Sequence, residues 1–490
     1  MTDAYDLIVL GGGPVGENVA DRAVAGGLTA VIVESELVGG ECSYWACMPS
    51  KALLRSGQAL RAARAVPGSA EAATGDLDVA AVLARRDAFT SGWNDAGQVE
   101  WLRGAGIDLV RGRGRLDGER RVVVSAPEGD ERVLTARCAV AVCTGSDAVI
   151  PPIPGLRDAG PWTSREATST PEAPESLVVI GGGVVAVELA TAFASLGSRV
   201  AVLARSALLG GFEPFAGEAV ADGLRALGVD VRIGVETLGV ERDAAGVIVR
   251  TSAGEDAAEG STAEIRAAEV LVATGRTPRS SGIGLETVAA AGLEPGEPIP
   301  TDDTLLVPGT DWLYAVGDVA GRAPLTHQGK YEARAAGDAI ASRALGSRGG
   351  GAGSLSTGPW GHHVATADRA AVPQVVFSSP EVAAVGLTER AAREAGREVR
   401  VADVEFSSVA GASLHADGYR GRARMVVDAE RDVMLGATLV GEDVAELIHA
   451  ATVAVVGEVP LSRLRHAVPA YPTMSEVWLR LLEADGRNSA

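Results

Sequence analysis

The sequence predicts an α/β protein carrying two copies of a strand–glycine turn–helix–strand unit and a separate C-terminal α+β domain. Three observations predict it. An apolar run ending in a glycine-rich turn opens the chain, the same grammar returns near residue 177, and strand-like runs follow a glycine-rich stretch near residue 350. At roughly 150 residues per domain the chain has room for two to four domains. Its 47% hydrophobic content is enough to fill several cores.

The elements follow in order. Tyr5–Leu10 is apolar and β-rich, and Gly11-Gly12-Gly13-Pro14-Val15-Gly16 is the turn. Residues 17–26 have helical periodicity and stop at Gly26-Gly27. Leu28–Val33 is the second strand, closed by Glu34. In the second copy Leu177–Ile180 is the strand, Gly181-Gly182-Gly183-Val184-Val185-Ala186 the turn, 187–196 the helix and Arg199–Leu203 the next strand. Pro151-Pro152-Ile153-Pro154-Gly155 is a stiff connector, and Ser347-Arg348-Gly349-Gly350-Gly351-Ala352-Gly353 has linker composition. Gln374–Phe377 and Arg424–Val427 read as strands of the last domain.

Both turns fit the fingerprint of a Rossmann-like dinucleotide-binding domain. Gly11, Gly13 and Gly16 permit a tight turn and let a pyrophosphate approach the helix N-terminus, and Glu34 can accept hydrogen bonds from a ribose. Gly181, Gly183 and Ala186 repeat the pattern, with Ala204 at the acidic position and Arg205 after it. An Arg without a carboxylate suits a 2′-phosphate, which favours NADPH and leaves NADH open.

The net charge of −20 comes without a basic stripe, which speaks against a nucleic-acid partner. No apolar run reaches the roughly 18 residues of a membrane span. The opening Met1-Thr2-Asp3-Ala4-Tyr5-Asp6 lacks a basic region, so a cytoplasmic location is expected. Of 44 basic residues only Lys51 and Lys330 are lysines. Lys is a compact ammonium on a thin stem where Arg is a wide planar fork, so both lysines are candidates for tight sites.

There are four cysteines. Cys42 and Cys47 lie in Gly39-Gly40-Glu41-Cys42-Ser43-Tyr44-Trp45-Ala46-Cys47-Met48-Pro49-Ser50-Lys51, at the start of a helix whose periodic part is Ala52–Ala63. A helix N-terminus lowers a thiol's pKa and makes a reactive thiolate. Cys138 and Cys143 have the same spacing but flank a strand, where five residues span about 16 Å, and read as packing thiols.

The segment around Cys42 and Cys47 resembles the redox-active helix of the class I pyridine nucleotide-disulfide oxidoreductases, a family that includes lipoamide dehydrogenase, glutathione reductase and mercuric reductase. The resemblance extends along nearly the whole chain, through Cys143-Thr144-Gly145-Ser146, Ala273-Thr274-Gly275-Arg276-Thr277-Pro278, Tyr314-Ala315-Val316-Gly317-Asp318 and Val376-Phe377-Ser378-Ser379-Pro380-Glu381-Val382. It implies an FAD domain over 1–155 that resumes over 281–350, an NAD(P) domain over 156–280, a linker over 351–367 and an interface domain over 368–490 that makes a homodimer. It also implies a reaction: a hydride passes from the nicotinamide by way of FAD to a Cys42–Cys47 disulfide and on to a small acceptor, a disulfide or a metal species.

Carried onto this sequence, the resemblance makes Cys47 the thiol near the flavin and Cys42 the interchange thiol. Lys51 pairs with Glu188 beside the flavin, Thr144 and Gly145 end the first FAD segment, Asp318 contacts the ribityl chain, and Gly275 closes the NAD(P) domain. The chain departs from the family at Tyr471, which stands where a His normally precedes Pro-Thr; the Glu five residues later remains as Glu476. Tyrosine, with an ordinary pKa near 10, is a poor base at neutral pH. His466 is then a possible substitute, although a structural or surface role suits it better, and His449 reads as structural. Tyr471 resembles mercuric reductases and soluble transhydrogenases, yet the end of this chain has no cysteine pair for delivering mercury. Two other readings stand: a diaphorase passing electrons to quinones or dyes, and a non-catalytic flavoprotein subunit. His362-His363 lack further ligands and imply no metal. Lys330 matches no motif and reads as a surface residue.

Overall fold

The computed structural model describes residues 3–252, 261–290, 292–347 and 355–488. These divide into two compact units, the first made of the described residues within 3–48, 87–147 and 276–369, the second of those within 49–86, 148–275 and 370–488. Of the expected linker 351–367, residues 351–354 lie outside the described residues, as do 348–350 of the glycine-rich stretch before it.

The first unit is built on a mostly parallel sheet in the order Ile107–Arg111, Ala30–Glu34, Ala4–Leu10, Glu131–Val142, with Leu313–Ala315 also paired to Glu131–Val142. Arg121–Ser125 and Arg113–Leu116 extend it as an antiparallel meander. Apart from Asp6, Ala4–Leu10 is apolar, and it is buried from Tyr5 onward because helices cover one face of the sheet and loops the other. On the helix side Pro14–Ala25 packs against Thr326–Ser347, joined by an Arg22–Asp338 ion pair at 2.7 Å.

Among its described residues the second unit holds three sheets. A parallel sheet runs Asp230–Ile233, Arg199–Ala204, Ser176–Ile180, Glu269–Val272. An antiparallel meander of Thr237–Asp243, Gly246–Ser252 and Thr262–Ala267 packs its apolar side on that sheet. The C-terminal part is a five-stranded antiparallel sheet ordered Pro373–Val376, Glu381–Gly386, Val433–Gly441, Arg422–Asp428, Val399–Glu405, covered by the helices Ile448–Val456 and Glu476–Asn488.

Both dinucleotide helices start three residues earlier than periodicity places them, at Pro14 and Val184. The glycine turn feeds directly into the helix, and Pro14 is preset for the first helical position. A second correction concerns the cysteines. The helix Cys47–Arg64 begins at Cys47, but Cys42 lies on a separate short turn of helix, Gly40–Tyr44. Gly39 and Gly40 at φ +110° and +56° reverse the chain between the strand end and that turn.

Candidate active site

In the first unit the glycine turn is shaped by close backbone packing. A Cβ on Gly11 would collide with the Cys143 carbonyl, whereas Gly13 has only the Gly40 Cα near it, at 3.9 Å. The first glycine therefore locks the turn onto the sheet and the second faces open space, as a pyrophosphate requires. The second turn is built alike: Gly181 abuts the Ala273 carbonyl and Gly183 has nothing within 4 Å. Glu34 is buried, its Oε2 accepting from the Gly12 amide at 2.6 Å and its Oε1 from the Glu36 amide at 2.7 Å. Each oxygen keeps a lone pair for a ribose hydroxyl. These residues fit the adenosine half of FAD. In the second unit Ala204 is buried at its strand end and Arg205, next to it, is exposed.

Asp318 follows the strand Leu313–Ala315 and accepts from the Ser146 hydroxyl at 2.5 Å. Arg276 donates to the same hydroxyl at 2.7 Å and to the Ser146 carbonyl at 2.6 Å. Its other contact is Glu41, at 2.6 Å, which also takes a 3.2 Å bond from Arg279. Thr144 donates to the Arg279 carbonyl at 2.7 Å, and Gly145 turns the chain at φ +75°. A hydrogen-bonded chain thus runs from Asp318 through Ser146 and Arg276 to Glu41, the residue preceding Cys42. Glu41 and Ser146 stand inside motifs already quoted, but nothing in the sequence marks them as partners.

Cys42 and Cys47 are half-buried thiols joined by a hydrogen bond. The bond to Cys47 holds the Cys42 proton firmly and, with burial, pushes its pKa well above the ordinary thiol range. Thr326, the first residue of its helix, has its hydroxyl 3.3 Å from the Cys47 Sγ and acts on Cys42 as well. Lys330, one turn further along that helix, is half-buried and acts electrostatically on both Cys42 and Glu17. This corrects the surface reading of Lys330. Sequence patterns miss it because the two segments lie almost 300 residues apart. Cys143, by contrast, is buried in the sheet core, where desolvation raises its pKa.

In the second unit the Lys51 ammonium lies 2.6 Å from Glu188 Oε2 and 5.1 Å from the centre of the Phe377 ring. Glu188 is buried, and its Oε1 accepts from the Phe377 amide at 2.9 Å. Gly275 follows the strand Glu269–Val272 at φ +141°. Tyr471 is exposed, while Glu476 is buried and accepts from the Gly411 amide at 3.3 Å. Among the described residues no hydrogen bond joins Tyr471 to Glu476. His466 and His449 are exposed. In the first unit His362 pairs with Asp338 at 2.9 Å, and His363 is buried between the Ser356 amide and the Ser342 hydroxyl. Among the described residues no cluster of His, Cys, Asp and Glu could hold a metal, and no helix is long and apolar enough to cross a membrane.

Comparison with known proteins gives a consistent picture. A model of the pyridine nucleotide-disulphide oxidoreductases matches residues 5–334, and one of their dimerisation domain matches 372–481. The chain is 33% identical to a dihydrolipoyl dehydrogenase of Chlorobaculum tepidum, covering 96% of this chain and 95% of the relative. It is 32% identical to a mercuric reductase of Shigella flexneri, covering 96% of this chain and 79% of that protein. Among solved structures, the HOCl-induced flavoprotein disulfide reductase RclA from Escherichia coli superposes with a TM-score of 0.78 at 25% identity, over 98% of this chain and 99% of that one.

Proposed function

This chain belongs to the pyridine nucleotide-disulphide oxidoreductase family, and on that premise we propose that it moves a hydride from NADPH, by way of FAD, to the Cys42–Cys47 pair and on to a small disulfide or metal species. The family membership makes it a flavoprotein oxidoreductase that uses FAD and a pyridine nucleotide. The single observation that carries the finer reading is the pair of half-buried, hydrogen-bonded thiols at the mouth of the helix Cys47–Arg64.

When bound, FAD takes a hydride from the nicotinamide and supplies two electrons to an acceptor. The rest falls to side chains. Two electrons and one proton break the oxidised pair's S–S bond, leaving one thiol and one thiolate, which the Thr326 hydroxyl supports as a hydrogen-bond donor. The Lys51 ammonium, held by buried Glu188, would supply a fixed positive charge that favours reduced flavin. Arg205, with no carboxylate at Ala204, favours the 2′-phosphate of NADPH over NADH. The dimerisation domain supports a homodimer, in which Tyr471 would meet the partner's thiols without serving as an efficient base.

Tyr471 also supports a second reading, a diaphorase that delivers electrons to quinones or dyes without using the thiols. The Cys42→Ser variant separates the two. Under the leading reading, reduction of disulfides and metal ions by NADPH falls at least about 100-fold in this variant while flavin reduction by NADPH stays rapid. Turnover unchanged across disulfides, quinones and metal ions would overturn that reading in favour of the diaphorase.

A further inference from the structure

We propose that Lys330 is the positioning charge of the thiol pair: its ammonium favours the thiolate form of Cys42 and Cys47, and Glu17 works against it. The inference rests on the reading that this pair reacts as a thiolate.

The geometry begins with the helix Thr326–Ser347, whose first residue puts its hydroxyl 3.3 Å from the Cys47 Sγ. Lys330 is four residues on, so it projects from the same helix face. Its ammonium acts electrostatically on both Cys42 and Glu17. Glu17 belongs to the first turn of Pro14–Ala25, the helix packed along Thr326–Ser347. Its Oε1 is buried and has no hydrogen-bond partner. Burial pushes the Glu17 carboxyl up to about 7, with Lys330 pulling it down and Glu34 pushing it up. Near neutrality Glu17 is therefore divided between neutral and charged forms. Neutral, it leaves the whole Lys330 charge to the thiols; ionised, it takes part of that charge away.

The groups facing the thiols and Glu17 come from five elements. They are Lys330 and Thr326 on one helix, Glu17 on the second, Glu34 at the end of its strand, Tyr44 beside Cys42, and the two thiols themselves. Lys330 is the cation acting on both Cys42 and Glu17. The chain otherwise uses Arg for nearly every positive charge. With Tyr471 replacing the usual histidine base, a fixed cation lowers the pair's first ionisation without having to accept a proton; the proton goes to solvent.

The test is anaerobic alkylation of Cys42. The FAD-loaded protein is reduced with dithiothreitol, freed of it, treated with iodoacetamide between pH 6 and 11, and scored by mass spectrometry, so that the midpoint read is the pair's first ionisation and not the proton held between the two sulfurs. Lys330→Met should move the midpoint up by about one pH unit, which is about tenfold slower alkylation at pH 7, and Lys330→Arg should largely restore it. Glu17→Gln should move the midpoint the other way, to about threefold faster alkylation. If Lys330 merely neutralises Glu17 for stability, Lys330→Met changes the unfolding temperature and leaves the midpoint in place, and the proposal falls. Should Lys330→Met fail to retain FAD, Glu17→Gln decides alone: an unmoved or raised midpoint overturns the proposal. Failure of the proposed function reads differently, as full acceptor turnover in Cys42→Ser with these midpoints still displaced.

Discussion

At the scale of single residues, the strongest local commitment is the buried carboxylate of Glu188. It has two partners, the Lys51 ammonium at 2.6 Å and the Phe377 amide at 2.9 Å. A buried charge left short of a partner is costly, whereas a well-satisfied one is tolerated. Lys51→Met keeps the stem but strips the charge, so Glu188 retains only the amide. Because Lys51 is itself partly exposed and water can replace it in part, the expected loss is about 1–3 kcal/mol in urea denaturation. Glu188→Gln in the same background should recover most of it, since the amide keeps the Phe377 bond without a charge. Residues of this kind show the limit of reading a chain. Lys51 stands out because lysine is so rare here, but Glu188, 137 residues away, is joined to it only by resemblance to a known family. Lys330 is equally rare, has no motif around it, and depends on a helix whose partners cannot be read locally. Its place beside Glu17 and Cys42 became visible only in three dimensions.

Secondary-structure elements carry a different lesson, because their ends are set by backbone chemistry and their contacts by packing. Both dinucleotide helices were legible in type, and their starts were misplaced by three residues because the glycine motif runs on into the first helical turn, so that Pro14–Gly16 and Val184–Ala186 read as turn. The short Gly40–Tyr44 helix was not legible, since five residues are too few to show a period and its boundaries depend on positive φ at Gly39 and Gly40. Nor was the strut formed by Arg86. This arginine of the helix Val79–Phe89 is 1% exposed and donates to the Thr168 and Thr170 carbonyls at 2.7 and 2.9 Å. Those carbonyls end the helix Ser164–Ser169, where no intrahelical donor can reach them. Arg86→Ala removes the donors and leaves a cavity where the side chain lay. The expected cost is about 3 kcal/mol, read as a fall in the thermal midpoint. Arg86→Lys should recover only part of it, because one ammonium cannot match the two-pronged geometry.

Across the whole molecule, which carries a net charge of −20, a buried acid is tolerated only when it is neutral or paired, because desolvation penalises a bare charge. Asp6 is paired: burial opposes its charge, but Arg137 and Thr29 hold its carboxyl below the ordinary range. It adds stability above the usual carboxylate pKa and loses it as acid protonates the folded state. Glu381 behaves oppositely. Burial pushes it up to about 7, against bonds from Gln58 at 2.7 Å and the Ala445 amide at 3.2 Å. Its unfolded carboxyl ionises near 4.5, so between about pH 4.5 and 7 the folded chain binds more protons than the unfolded one. Stability from this group therefore falls as pH rises through that window and stays reduced above it. Glu332, pushed up to about 8 chiefly by burial, adds to the same trend over a wider range. The protein should accordingly be more resistant to urea at pH 5 than at pH 8. Glu381→Gln tests the assignment, because the amide can still bond Gln58 and Ala445 but cannot ionise. At pH 5 it should raise stability by no more than about 1 kcal/mol, and at pH 8 by roughly 3 kcal/mol. An equal effect at both pH values would mean that Glu381 is already charged throughout, and that its bonds to Gln58 and Ala445 outweigh its burial.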